Sequence, residues 1–199
     1  MPLNRVISLC LLLPLLLWAG LAHAADNPGL KSGVFDPPRM APDFTLSGSN
    51  GAALSLSRYR GKLVLLEFGY TSCLDVCPVS LAMLAAARQK LGPLAAAVQV
   101  IFITVDPQRD SAAHLRSYLA AFDPSFVGAT GTAEQLARVR KDYGISATQQ
   151  MADGSNSAYT IGHSSYLYFI DRKGSLRALL PFGRSADDVV HDVTILLGK

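Results

Sequence analysis

Leu63 to Tyr70 reads LVLLEFGY and Val98 to Val105 reads VQVIFITV, two nearly unbroken apolar runs. Runs of this length without alternation suit strands buried on both faces of a sheet. Between them, Val79 to Leu91 is rich in Ala, Leu and Met and holds neither Gly nor Pro. It predicts a helix, which Gly92-Pro93 stops. Ser111 opens a second helix to about Phe122, with Ala112, Leu115 and Leu119 on one face. FVGAT is a short strand candidate, and Thr132 caps a further helix to about Tyr143.

The flanks read differently. Phe44–Leu46, an Asn50-Gly51 turn and Ala53–Leu56 predict an N-terminal hairpin. MADGSNSAYTIG is polar and turn-rich, and predicts a hairpin inserted before His163. SSYLYFID, a Lys173-Gly174 turn and SLRALLP predict an antiparallel pair. Residues 185–197 close the chain as a helix capped by Ser185, with Asp187 and Asp188 in its first turn. Residues 25–41 are rich in Pro and Gly and read as an extended tail leading into a domain over 42–199. Strand–helix alternation followed by an antiparallel pair implies an α/β fold, a mixed central sheet flanked by helices.

Before the tail, MPLNRVISLCLLLPLLLWAGLAHA has a basic residue, an apolar stretch and a final Ala22-His23-Ala24. That pattern predicts a secretory signal over 1–24, cut after Ala24, which removes Cys10. An uncleaved membrane anchor is the alternative, against which stand the short apolar stretch and Pro14. Cys10 lies at the start of that stretch, which excludes a lipoprotein reading. The abundance of Ala, Leu and Arg hints at a bacterial source, and hence a periplasmic or cell-envelope location. The length of 199 residues suits one domain with a sizeable core. A formal charge of +3 without any basic stripe argues against nucleic acid as a partner.

The exported chain keeps two cysteines, Cys73 and Cys77, where the first apolar strand runs into its helix. Open α/β sheets place their chemistry at such strand ends, and the layout is thioredoxin-like. If the turn is helical, the two thiols share one face, with Cα atoms roughly 6 Å apart. The pair then suits a structural disulfide, a redox couple or a metal clamp. So short a loop makes a weak staple. Pro78 fits a helix's first turn, and the helix N-terminus favours the thiolate.

His163 is placed in a loop before a strand, beside the cysteine turn in such a sheet. Cys73, Cys77 and His163 make a soft three-donor set suited to Cu(I), with Cu(II) open to a further ligand. Zinc prefers a fourth donor. His114 and His191 read as surface or satisfied histidines. Asp75 and Asp106 are weaker candidates near the strand ends, and Asp106-Pro107 reads as a turn. Met40, Met83 and Met151 offer thioethers, with Met83 expected in the core.

FGYTSCLDVCPVSLAML, IFITVDPQRDSAAHLRSYLAAFD and IGHSSYLYFIDRKG together resemble the Sco/SenC family of thioredoxin-like copper proteins. The resemblance runs from about Pro42 to the C-terminus. It implies a copper chaperone that serves the dinuclear copper centre of cytochrome c oxidase, with Cys73, Cys77 and His163 as copper ligands and the CxxxC pair redox-active. Its partners would be the oxidase's copper-bearing subunit and an envelope thiol reductant or another copper chaperone, with the protein a monomer. Leu74 stands where the family usually has Pro, and Gly162 where an acidic residue often precedes the histidine. A thiol–disulfide oxidoreductase is the competing reading, since it needs the two cysteines and not His163. The CxxxC spacing, one residue longer than CxxC, weighs against a general reductase.

Overall fold

The computed structural model describes residues 29–151 and 159–198. The expected signal over 1–24, its cleavage point and Cys10 lie outside the described residues, as does the tip of the inserted hairpin. The strands are β1 (Gly33–Met40), β2 (Thr45–Gly48), β3 (Ala53–Ser55), β4 (Leu63–Gly69), β5 (Val98–Thr104), β6 (Val127–Thr130), β7 (Ala147–Met151), β8 (Tyr159–His163), β9 (Tyr166–Ile170) and β10 (Ser175–Pro181). The helices are α1 (Val76–Leu91), α2 (Ala112–Ala120), α3 (Ala133–Tyr143) and α4 (Ala186–Leu196).

Eight strands form one mixed sheet in the order β1-β10-β9-β4-β5-β6-β2-β3. The two apolar runs lie side by side and parallel at its centre, as β4 and β5, with β6 parallel beyond them. β9 joins the other side of β4 antiparallel, so the C-terminal hairpin extends the sheet. This is the thioredoxin-like α/β arrangement that the alternation implied.

Side chains of β4 divide between two cores. Val64, Leu66 and Phe68 pack on the face covered by Leu136, Val139 and Tyr143 of α3. Leu63 and Leu65 point the other way, to Leu81 and Leu84 of α1, Leu115 of α2 and Val189 of α4. All seven β4 residues are buried. Each fully buried large apolar side chain contributes roughly 1.5–3 kcal/mol, and a one-residue slip would exchange the two faces. The register of β4 is thereby fixed, and so is the position of the turn beyond its end. By the same alternation Glu67 faces the α1 side, among apolar neighbours.

Caps set the helix starts. Ser111 Oγ accepts the His114 N–H at 3.2 Å, and Thr132 and Ser185 form reciprocal boxes with Gln135 and Asp188. α1 begins at Val76, earlier than its Ala-rich pattern predicts, so Cys77 and Pro78 lie in its first turn. The N–H groups of that turn lack helical partners, and Pro costs nothing there.

The segment expected as an extended tail carries a strand. β1 pairs antiparallel with β10, with a register shift between Val34 and Arg39. Pro37 and Pro38 lie within that shift, and a sheet edge is where strand prolines are tolerated. Asp192 of α4 anchors the segment's start by accepting the Lys31 and Ser32 N–H groups at 2.7 and 3.0 Å. Among the described residues no helix is long and apolar enough to cross a membrane.

Candidate metal centre

β4 ends at Gly69, and the chain turns through residues 70–75 into α1. The Cys73 N–H meets the Tyr70 carbonyl at 3.2 Å. Cys73 therefore precedes the helix and does not share a helical face with Cys77. Its Sγ instead accepts the Cys77 N–H at 3.5 Å. Asp75 stands at the N-cap without a side-chain cap bond, and the Cys73 sulfur takes a helix N–H that a capping oxygen would otherwise satisfy. Both cysteines are free thiols, Cys73 half-buried and Cys77 fully buried. Gly69 makes room for them: a Cβ there would lie 2.7 Å from the Phe102 ring and 2.9 Å from Cys77 Sγ.

His163 is the last residue of β8, paired with Ala147, where the sequence predicts a loop. The polar hairpin carries it back to the end of β4. Its Nδ1 lies 2.9 Å from the Ser164 carbonyl. A carbonyl only accepts, so the ring proton sits on Nδ1 and Nε2 presents its lone pair. Nε2 faces Cys77 Sγ at 3.4 Å.

The two thiols are electrostatically unlike. Burial opposes ionisation of Cys73, but the N–H groups of Cys77, Asp75 and Val76 and the Cys77 thiol outweigh it and hold Cys73 below the usual thiol range. Burial pushes Cys77 far above that range. The Tyr70 backbone offsets part of this, while charge on Cys73 and Glu67 adds to it. Cys77 thus keeps its proton. Burial also lowers the His163 pKa, partly countered by the Ser164 carbonyl, so the imidazole is neutral near pH 7.

An ion bound at roughly 2.3 Å to sulfur and 2.0 Å to nitrogen holds those donors about 3.3–3.7 Å apart. The Cys77–His163 separation of 3.4 Å fits such an ion. Among the described residues, no three His, Cys, Asp or Glu side chains are already gathered around one point. The donors meet in pairs, with the Cys73 sulfur turned to the helix amides.

The remaining candidates stand apart from this pair. Asp75 is exposed, and Met40 and Met151 are exposed on β1 and β7. Met83 is half-buried, where the sequence predicts core. It packs against the edge of the core over α1 and lines a cleft. His114 Nε2 is 3.0 Å from Thr71 Oγ1, and His191 Nδ1 is 3.0 Å from Asp192. Both are satisfied elsewhere.

Asp106 is a brace, one of four residues that hold His163 through the hairpin. It pairs with Arg109 and accepts the Tyr159 hydroxyl at 2.9 Å. The Arg109 guanidinium lies 3.8 Å from the Tyr159 ring centre and 5.6 Å from that of Tyr70. Tyr70 hydroxyl accepts the Ile161 N–H at 3.2 Å, and its ring meets His163 edge-on at 5.9 Å. The VDPQRD segment thus struts β8 against the end of β5. Of these four residues, Asp106 alone is a candidate from the sequence. The aromatic pair Tyr70 and Tyr159 offered a signal, as residues with an apolar body and a polar tip flanking the candidate donors.

The sequence profile described as SCO1/SenC matches residues 34–198. An SCO2-like protein of Rickettsia conorii is 34% identical over 139 residues, covering 70% of this chain and 68% of its own. The apo Sco1 protein of Thermus thermophilus superimposes with a TM-score of 0.76 at 34% identity, covering 84% of this chain and 96% of that one. The copper-bound ScoI of Bradyrhizobium japonicum does so at 0.72 and 32% identity, covering 79% and 99%.

Proposed function

The chain belongs to the SCO1/SenC family, and from that premise we propose that it carries copper as cargo, held by Cys73, Cys77 and His163, to the dinuclear copper centre of cytochrome c oxidase. The observation that carries this reading is the His163 Nε2 lone pair set 3.4 Å from a thiol sulfur. Two thiolates and an imidazole are soft enough to select Cu(I). The copper-bound ScoI of Bradyrhizobium japonicum lends further support.

Each donor has a distinct task. Cys73, the more acidic and accessible thiol, meets the ion first and gives up its helix N–H partners to do so. Cys77 releases its proton as the metal binds, so uptake strengthens as pH rises. His163 needs no deprotonation, because Ser164 already fixes its proton on Nδ1. The protein is exported, with residues 1–24 removed, and acts in the cell envelope beside a thiol reductant or a second copper chaperone. The test is transfer of Cu(I) from the loaded protein to the soluble copper-binding domain of the oxidase subunit. Transfer should fail in His163→Ala, and equal transfer by that variant would contradict the reading.

The split between the two thiols favours a second activity, thiol–disulfide exchange on the same subunit. The Cys73 thiolate attacks one sulfur of the partner's disulfide, and the other partner sulfur leaves as thiolate. That thiolate takes the Cys77 proton, and the Cys77 thiolate then attacks Cys73 Sγ and expels the second partner sulfur as thiolate, leaving a Cys73–Cys77 disulfide. Two electrons pass to the partner, and the envelope thiol reductant restores the dithiol. This route has no need of His163.

A further inference from the structure

Beside the thiols, a cleft of about 180 Å³ opens between α1, β9 and the turn joining β10 to α4. None of the three proposed copper donors lines it. Its walls are apolar, formed by Val79, Met83, Tyr166, Leu180 and Phe182, and Glu67 contributes a carboxyl from β4. Glu67 is 95% buried, 5% of its surface being exposed, and its Oε2 has no hydrogen-bond partner among the described residues. The Ser80 side chain beside it favours the ionised carboxyl, against burial. A buried carboxyl left half-satisfied is costly, and such groups in folded proteins call for an explanation.

We propose that this cleft receives a lysine side chain of the protein that docks over the cysteine turn. Pockets for whole small molecules run from about 300 to 1,000 Å³, so this one suits a single side chain. Apolar walls with one acidic group inside match a long aliphatic stem that ends in a cation. Lysine fits better than arginine, whose planar fork seeks two acceptor atoms side by side; Glu67 has one oxygen to spare. Arg184 lies at the cleft but pairs with Asp188 at 3.2 Å, so it is engaged away from Glu67. As the ammonium seats, the carboxyl proton passes to solvent and the ion pair replaces it. Around the mouth, Val79, Tyr166 and Phe182 are exposed apolar groups, and Leu74 beside Cys73 is 97% exposed. Val79, Tyr166 and Phe182 rim the cleft, and a partner that reaches the thiols would cover them and Leu74.

That a partner docks here rests on the function proposed above; lysine binding does not, and it is measured without metal. Reduced, copper-free, ¹⁵N-labelled protein is titrated with Nα-acetyl-lysine methylamide and, separately, with the norleucine analogue that lacks the ammonium. Saturable shifts are expected at the Ser80, Leu167 and Gly183 amides with the lysine compound. They should need about tenfold more of the norleucine compound, and about tenfold more lysine compound in Glu67→Gln. Equal response to the two compounds, unchanged binding by Glu67→Gln, or no saturable response to lysine would overturn the proposal. Glu67→Gln keeps all three copper donors. A parent that takes up no copper would contradict the transfer function while leaving the lysine result intact.

Discussion

Nε2 of His163 stands 3.4 Å from Sγ of Cys77 although 86 positions separate the two residues in the chain. Two local features produce this approach. Gly69 lets the Cys77 sulfur settle against the end of β4, and the β7–β8 hairpin delivers the imidazole with its proton already committed to Ser164.

The first feature makes Gly69→Ala disruptive. A methyl 2.7 Å from Phe102 and 2.9 Å from the Cys77 sulfur must push one of them aside. Overpacking of this kind costs about 1–3 kcal/mol. Chemical denaturation of the reduced protein should show that loss, and an unchanged midpoint would mean that the turn yields freely.

The unlike thiols predict ordered alkylation. Below the usual thiol range, Cys73 is ionised at lower pH than an ordinary cysteine, whereas Cys77 resists ionisation. Iodoacetamide followed by peptide mass mapping should label Cys73 first, with a rate that rises through a midpoint on the acid side of free cysteine. Equal rates at the two positions would remove the basis for naming Cys73 the attacking thiol.

Glu67 gives a pH signature in stability. Burial raises its carboxyl from 4.5 to about 8 in the folded protein, with Ser80 opposing. The folded state then holds a proton that the unfolded state has lost, so stability falls as pH rises across that window. The slope is about 1.4 kcal/mol per pH unit at most. Glu67→Gln should be flatter and gain on the parent between pH 5 and 8 in urea melts. Parallel curves for the two proteins would place the ionised form at no disadvantage.

Much of this fold is legible in the residues. The two apolar runs could only be central strands, and Ser111, Thr132 and Ser185 marked three helix starts through their hydroxyls. β1 was hidden because Pro37 and Pro38 argue against a strand everywhere except at a sheet edge, and an edge is a property of the whole sheet. His163 read as a loop residue because its hairpin is small and polar, with no alternation to announce it. Glu67 sat in plain view inside LVLLEFGY, but a single charge in an apolar run looks like tolerance until its burial is known. Arg109, Tyr70 and Tyr159 act through contacts between distant segments, which local pattern does not encode.

The strut predicts a graded effect at the imidazole. Tyr70→Phe removes the acceptor of the Ile161 N–H and keeps the ring against His163. Loss of one such bond costs about 1 kcal/mol. Amide exchange at Ile161 should quicken, and copper affinity should fall by less than in His163→Ala. Exchange as slow as the parent's would show that the hairpin stands without Tyr70.

In the proposed function Cys73, Cys77 and His163 hold one ion together. Anaerobic Cu(I) titration of the reduced protein, with X-ray absorption at the copper edge, measures it directly. The parent should bind one copper with two sulfur neighbours and one nitrogen. His163→Ala should lose the nitrogen and at least about 10–100-fold in affinity, because losing a ligand costs no less than losing its supporting contacts. Its thiols should still form and release their disulfide. A parent site without nitrogen, or a His163→Ala protein that binds copper with the parent's affinity and spectrum, would contradict the account.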